Sequence, residues 1–257
     1  MSFHSMMRAA TLVATAAVLA TGCGTDDAAD PLQPTGPTGR IRFVNLITDP
    51  ARNPVNAILE NVPFGVGLAY AATTPGSLPA PSTAFYSPVL TGDRTLLVVR
   101  TAAPNTTLAT ITVTVAADND YTVFATGGTA GGAVTSFIAT DVTTAIPTGQ
   151  ARIRVMNMSP AAGLVDVFIT APNADLSAAT PAAPNLALRA TFAGQAVAPG
   201  TYQVRTVPAG TAPAARTAAV NTTITLTGLA AGQGRTIVIA DAATGGTPLR
   251  VFALSDQ

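Results

Sequence analysis

Chemistry in this 257-residue chain has to come from carboxylates, guanidiniums and hydroxyls. Its one histidine, His4, and its one cysteine, Cys23, both lie near the N-terminus, and it contains no Lys and no Trp. Ser–His and Cys–His nucleophile pairs, Schiff-base lysines and most transition-metal sites are therefore beyond the reach of its folded part. No G-x-S-x-G, P-loop or dinucleotide fingerprint is present. A carboxylate-only hydrolase of the glycosidase kind needs two acids flanking a cleft. Asp166, in Val165-Asp-Val-Phe168, is the most attractive acid, but no second carboxylate stands at a suggestive spacing. A hydrogen-bonding or surface role for it is the expectation. Asp118-Asn119-Asp120 has the alternating oxygens that open a calcium loop. The same residue types favour a tight hairpin, and a turn is the expectation there.

Arg40 and Arg42 alternate along one apolar segment, and Arg152 and Arg154 along another. In a strand each pair shares a face, opposite Ile and Phe or Val. Such a face suits docking onto anionic headgroups or acidic polysaccharide. A solvated, charged face that discourages edge pairing is the expected reading. Phe85 and Tyr86 are the candidate ligand-binding residues. If their segment is extended, only one of the two rings can face a core, which leaves the other for a ligand platform. They lie in a long Pro-rich connection, Asn61 to Pro88, with a counterpart from Ala171 to Asn185. Ordinary loop variation is the expected reading of such segments.

These residues have to be positioned by strands. Ile111-Thr-Val-Thr-Val115 alternates strictly, and so do Val165, Val167 and Ile169 with their neighbours. Leu96 to Val99, Thr223 to Leu226 and Ile237 to Ala240 add further short apolar runs between Gly, Pro and Asn clusters. The pattern also occurs twice. Arg40-Ile-Arg-Phe-Val-Asn-Leu46 returns as Arg152-Ile-Arg-Val-Met-Asn-Met158, and Phe137-Ile-Ala-Thr-Asp141 as Phe252-Ala-Leu-Ser-Asp256. In that alignment Asp166 matches Asn56, and Asp118-Asn-Asp120 matches Gly232-Gln-Gly234, which cannot ligate through side chains. The spacing predicts all-β architecture: two tandem immunoglobulin-like β-sandwich domains, residues 40–142 and 151–257, joined by a linker at 143–150. About seven strands per copy are expected, and a small barrel fits the same pattern.

Ala151-Arg-Ile-Arg-Val-Met-Asn-Met-Ser-Pro160, Val165-Asp-Val-Phe168, Pro199-Gly-Thr-Tyr-Gln-Val-Arg205, Pro208-Ala-Gly-Thr211 and Pro248-Leu-Arg-Val-Phe252 resemble a tandem bacterial domain of unknown function, the DUF4397 type. The resemblance runs over nearly all of Arg40 to Gln257; the first copy departs from it at Asn56 and lacks Pro-Gly-Thr-Tyr. It implies a sandwich fold and an exported or surface location, with no catalytic residue to carry over.

The N-terminus points the same way. An apolar run, Ala9 to Ala20, is too short to span a bilayer and fits the core of a secretory signal. Leu19-Ala-Thr-Gly-Cys23 resembles a bacterial lipobox, so residues 1–22 read as a lipoprotein signal peptide and Cys23 as the lipidated residue. Two or three acyl chains at about 0.8 kcal/mol per buried methylene anchor a protein effectively for good. Gly24 after the cysteine resembles the pattern sent on to the outer membrane of a diderm host. Residues 23–39 read as a flexible tether. Disulfides within the chain are impossible with a single cysteine. A formal net charge of +0 gives no field for nucleic acid. The expectation is a non-catalytic, membrane-anchored envelope lipoprotein without cofactor or metal, at the outer membrane or cell surface, with an envelope protein or a polysaccharide as partner. The alternative is a carbohydrate-binding surface module, against which the absence of Trp counts.

Overall fold

The computed structural model describes residues 36–75 and 85–256. The leader, Cys23 and the tether through Thr35 lie outside the described residues. Gly36–Gln257 forms one compact unit, and its fold is all-β. The first repeat carries β1 (Thr38–Ile47), β2 (Val55–Leu59), β3 (Val62–Leu68), β4 (Thr73–Thr74), β5 (Ser87–Leu90), β6 (Gly92–Arg100), β7 (Ala103–Val115), β8 (Asp120–Gly127) and β9 (Val134–Thr140). The second carries β10 (Ala151–Asn157), β11 (Val165–Thr170), β12 (Ala183–Leu186), β13 (Thr191–Val197), β14 (Gly200–Pro208), β15 (Thr222–Leu229), β16 (Gly234–Ala240) and β17 (Arg250–Ser255).

Both repeats use the same wiring. One sheet runs β3-β2-β6-β7 in the first and β12-β11-β14-β15 in the second. The other runs β4-β1-β8-β9, with β5 also on β1, and β13-β10-β16-β17. β1 pairs parallel with β8, and β10 with β16; the remaining pairings are antiparallel. Each repeat closes its two sheets over an apolar core. Ile41, Phe43 and Val123 meet Val55, Leu96, Val98 and Val113 in the first. Ile153, Val155 and Ile237 meet Val165, Val167 and Val204 in the second. The strict alternation of Ile111 to Val115 becomes strict alternation of buried and exposed positions.

The Asn61–Pro88 segment is not a plain connection. It contains β3 and β4 and reaches the start of β5, while the counterpart segment ends in β12. Pro63, Gly65 and Gly67 masked β3 in the sequence. Such residues are tolerated there because β3 is an edge strand of its sheet.

Asp166 and its counterpart Asn56 sit at the same irregularity. β2 shifts register between Val55 and Ala57, and β11 between Val165 and Val167. A bulge leaves backbone donors off the ladder, and those donors need another acceptor. Asn56 Oδ1 accepts from the Gly67 N–H at 2.9 Å, and Asp166 Oδ1 from the Asn185 N–H at 2.9 Å. Gly67 and Asn185 both lie at positive φ, 64° and 51°. The side chain thus stitches the bulge to a left-handed neighbour in each repeat. Asp166→Ala is expected to lose about 1–3 kcal/mol by orphaning that N–H. Asp166→Asn, which keeps an acceptor, is expected to stay close to wild type, and urea unfolding of both variants checks this.

Candidate functional site

Strand β1 is buried on both faces. Ile41, Phe43 and Ile47 enter the core of the first repeat, and Val44 and Leu46 join a second apolar cluster on the opposite face. That cluster also takes Phe124, Met156, Met158, Val238 and Leu254, and so spans both repeats. Arg42 and Arg154 share the parity of these seam residues and are 1% and 2% exposed. The expectation of a solvated charged face is therefore overturned at both positions. The outer face of each β1-type sheet is covered by the other repeat, and β1 is flanked by β8 on one side and β4 and β5 on the other, so it has no edge to defend. Arg40 remains half exposed and pairs with Asp120 at 2.6 Å. Arg152 donates to the Thr144 and Ala145 carbonyls at 2.8 and 3.0 Å.

Each buried arginine finds its nearest carboxylate in the other repeat, with that of its own repeat farther off, at 3.6 Å for Arg42–Asp141 and 4.0 Å for Arg154–Asp256. Arg154 Nη2 donates to Asp141 Oδ1 at 3.0 Å. Arg42 Nη2 lies 2.9 Å from Asp256 Oδ1, off the axis of a hydrogen bond, and its Nη1 donates to the Ser255 carbonyl at 3.0 Å. Threonines complete a matched pattern. Arg42 Nε donates to Thr122 Oγ1 at 2.7 Å, and Thr122 donates to Asp141. Arg154 Nη1 donates to Thr236 Oγ1 at 3.2 Å, and Thr236 donates to Asp256 at 2.7 Å.

The repeats differ in what covers the guanidinium. Tyr86 lies 4.5 Å from the Arg42 guanidinium, ring centroid to carbon, and gives its hydroxyl proton to Asp141 at 2.9 Å. Over Arg154 the chain places Gly194, at φ +123°, where a Cβ would meet the Arg154 Cγ at 2.8 Å. Burial works against the Arg42 charge, but Tyr86, Asp256 and Asp141 more than offset it and hold its pKa above the ordinary arginine value. Burial also pushes the Tyr86 hydroxyl well above the usual phenol range; Arg42 opposes the shift, and Asp141 and Asp256 add to it.

Leu46 lies four residues beyond Arg42, about 13 Å along β1 at the usual strand rise. There the seam opens into a cleft of about 130 Å³. The first repeat lines it with Tyr70 and the hydroxyls of Thr48, Thr126, Thr129 and Thr135. The second contributes Met158, Leu188, Arg189 and Asp241, among others. Tyr70 donates to the Asp241 carbonyl at 2.6 Å, which ties the two walls together. Burial raises the Tyr70 pKa too; the charge of Asp241 adds to the shift and Arg250 opposes it.

Matched turns deliver the cleft residues. Ala71 and Arg189 adopt φ of 63° and 62° and donate their N–H to the Asn45 and Asn157 carbonyls at 2.7 and 2.6 Å. The Asn45 and Asn157 side chains, both fully buried, donate back to the Leu68 and Leu186 carbonyls. Left-handed backbone costs a residue with a Cβ roughly 1–2 kcal/mol, and here buried asparagines hold it in place. The sequence carries the signal as Leu68-Ala-Tyr-Ala-Ala-Thr73 and Leu186-Ala-Leu-Arg-Ala-Thr191, a repeat that lies between the matched strand ends.

Of the residues singled out in the sequence, Phe85 and Tyr86 do divide between outside and inside. Phe85 is 40% exposed, whereas Tyr86 is 6% exposed and committed to the Arg42–Asp141 network, which leaves Phe85 alone accessible to a ligand. Asp118 lies at φ +60° in the turn before β8, and Asp120 begins β8 paired with Arg40. Cys23 lies outside the described residues.

The model of a domain of unknown function, DUF4397, matches residues 39–168, half of the chain. The chain belongs to the DUF4397 family. The matched DUF4397 segment covers the first repeat, the linker and the first two strands of the second. No curated protein matches the chain. Among solved structures, the Bacillus anthracis TIE protein is similar at 10% identity and a TM-score of 0.23, over 85% of this chain. The DUF4397 chain spans 44% of that protein's length. A candidate adhesin from Bacteroides ovatus is similar at 9% identity and a TM-score of 0.19, over 86% of this chain and 96% of its own. Likenesses at these TM-scores carry no functional reading.

Two outcomes follow from the seam. Asp141→Ala takes from the buried Arg154 its hydrogen-bonded carboxylate, leaves it only Asp256 at 4.0 Å, and orphans Thr122 and Tyr86. It is expected to cost about 3–5 kcal/mol in denaturant unfolding, far more than Asp93→Ala on the surface. Alkaline titration provides the second. Folding holds Tyr86 and Tyr70 protonated where the unfolded chain ionises, so their contribution is complete below about pH 10 and is lost as pH rises further. Tyr86→Phe is expected to flatten the fall of Tm between about pH 9 and 12 relative to wild type.

Proposed function

We propose that this protein is a non-catalytic, lipid-anchored module of the cell envelope that holds a rigid two-sandwich body off a membrane for interaction with an envelope protein or polysaccharide. The observation that carries this reading is the seam. Crossed ion pairs between Arg42 and Asp256 and between Arg154 and Asp141, set among apolar side chains from both repeats, make one body of two sandwiches. A rigid body on a flexible tether suits presentation and spacing. The best-buried carboxylates are also occupied structurally: Asp141 and Asp256 by arginines, Asp120 by Arg40, and Asp166 by the bulge. That favours a binding or structural role over acid–base catalysis. Among the described residues no helix is long and apolar enough to cross a membrane. Attachment is assigned to acyl chains on Cys23 on the strength of the lipobox-like Leu19-Ala-Thr-Gly-Cys23. A balanced charge supports the absence of a nucleic-acid partner.

A second reading, carbohydrate binding, is favoured by the hydroxyl-lined cleft rather than by the Phe85–Tyr86 pair. Fractionation of host cells tests the first reading. The wild-type protein is expected in the membrane fraction and to be cut by protease added to intact cells, while Cys23→Ala is expected in the soluble fraction. Retention of Cys23→Ala in the membrane would remove the anchoring claim, and protection of the wild type until the outer membrane is breached would move the module to the periplasmic face.

A further inference from the structure

We propose that the seam cleft binds one acidic sugar ring, a hexuronate or a uronate residue within a polysaccharide; this deepens the carbohydrate reading above and rests on it. Size comes first. At about 130 Å³ the cleft is smaller than the roughly 150 Å³ of a cavity that encloses benzene, so it seats one face of a single sugar ring rather than enclosing it, and nothing longer. The hydroxyls come next. Thr48 and Thr129 meet at 2.6 Å, and Thr126 and Thr135 at 3.0 Å. Each hydroxyl has one proton and two lone pairs. Thr48 also donates to the Gly127 carbonyl and Thr126 to the Thr135 carbonyl, so the protons are spent within the wall and the pairs keep unused acceptors, to which a ring's hydroxyls can donate.

The second-repeat wall supplies what a uronate has besides hydroxyls. Leu188 is 43% exposed and stands with Met158 as apolar surface for the carbon face of the ring. Arg189, its neighbour, is exposed and has no ion pair among the described residues. Among the described residues its guanidinium makes one hydrogen bond, from Nη2 to Thr135 Oγ1 at 3.3 Å. A guanidinium presents five N–H donors in a planar fork matched to a carboxylate, and most of the Arg189 fork is free. Asp241 is the one carboxylate in the lining, and its loop already occupies it. Oδ1 accepts from Ser159 and from the Ala161 N–H, and Oδ2 accepts from the Gly246 N–H at 3.0 Å. Tyr70 is tied to the Asp241 carbonyl, with Arg250 6.0 Å from its ring.

Neither repeat contains the site alone. Hydroxyls come from one repeat, and the cation and the apolar surface from the other. In the first repeat the position of Arg189 is held by Ala71, so the cleft has one carboxylate-recognising side.

Titration calorimetry and NMR shift mapping of the purified protein with galacturonate, galactose and acetate test the proposal. Galacturonate is expected to bind saturably, shift the signals of Thr129, Thr135 and Leu188, and bind about tenfold or more tightly than either galactose or acetate. Arg189→Gln, an exposed change checked by its melting curve, is expected to abolish the preference for galacturonate over galactose. Thr135→Val is expected to weaken both sugars. No saturable galacturonate binding, acetate binding as tight as galacturonate, or a preference untouched by Arg189→Gln each overturns the proposal. If galacturonate fails while another glycan on an array binds, this site is wrong and the carbohydrate reading survives; silence across the array removes both.

Discussion

Two guanidiniums buried in an apolar seam have to find their counter-charges across that seam, and this requirement organises the molecule. Arg42 finds Asp256 and the Ser255 carbonyl; Arg154 finds Asp141. Apolar faces attract without direction, so Val44, Leu46, Met156 and Val238 alone would let one sheet slide over the other. Buried charges do not permit sliding, because a shift of one residue in either strand turns each guanidinium away from its partner. The crossed pairs therefore set where the two β1-type strands overlie, and the position of the cleft beyond Leu46 and Met158 follows from that register.

The two copies share wiring but have diverged in what lies on it. Where the first repeat covers its arginine with Tyr86, the second brings strand β13 close enough for only glycine to fit at 194. The outer faces of the other sheets also differ. In the second repeat Phe168, Leu176 and Val207 form a small satellite core. The Arg216 guanidinium lies 5.4 Å from the Phe168 ring, and Arg205 is tied to Thr170 and the Ala174 carbonyl. In the first repeat the counterparts of Phe168 and Val207 are Ile58, which is half-buried, and Val99, which is buried. Among the described residues only the second copy builds a separate apolar cluster on that face.

Much of this was legible in the chain. Alternation marked β7 and β11, and the repeated Arg-Ile-Arg segment marked β1 and β10. The burial of Arg42 and Arg154 was also written there, because Val44 and Leu46, and Met156 and Met158, share the parity of the arginines. An apolar run on the arginine side signals a covered face, and weighing the arginines alone concealed it. The matched ends, Asp141 and Asp256, were visible as a repeat, but nothing local says that each serves the opposite copy. Exchange of partners between homologous halves is a property of docking and leaves no periodicity. The cleft was illegible for a related reason: its walls come from segments scattered between Leu46 and Asp241, and only the Leu-Ala-x-x-Ala-Thr echo hinted at them.

The span of the Arg42 contacts has a consequence for biogenesis. Arg42 grips a carbonyl 213 residues further along the chain. A polypeptide that emerges N-terminus first exposes the first sheet long before β17 arrives to cover it. Through that interval Val44, Leu46 and Phe124 stand as an open apolar face around a guanidinium that has Asp141 at 3.6 Å but not yet its closer partner, Asp256. Such a surface is a ready substrate for holding chaperones and a hazard for association between nascent copies. Closure only after β17 has emerged is a long-range step, slow by topology; shielding of the first sheet until then thus becomes part of what this architecture requires.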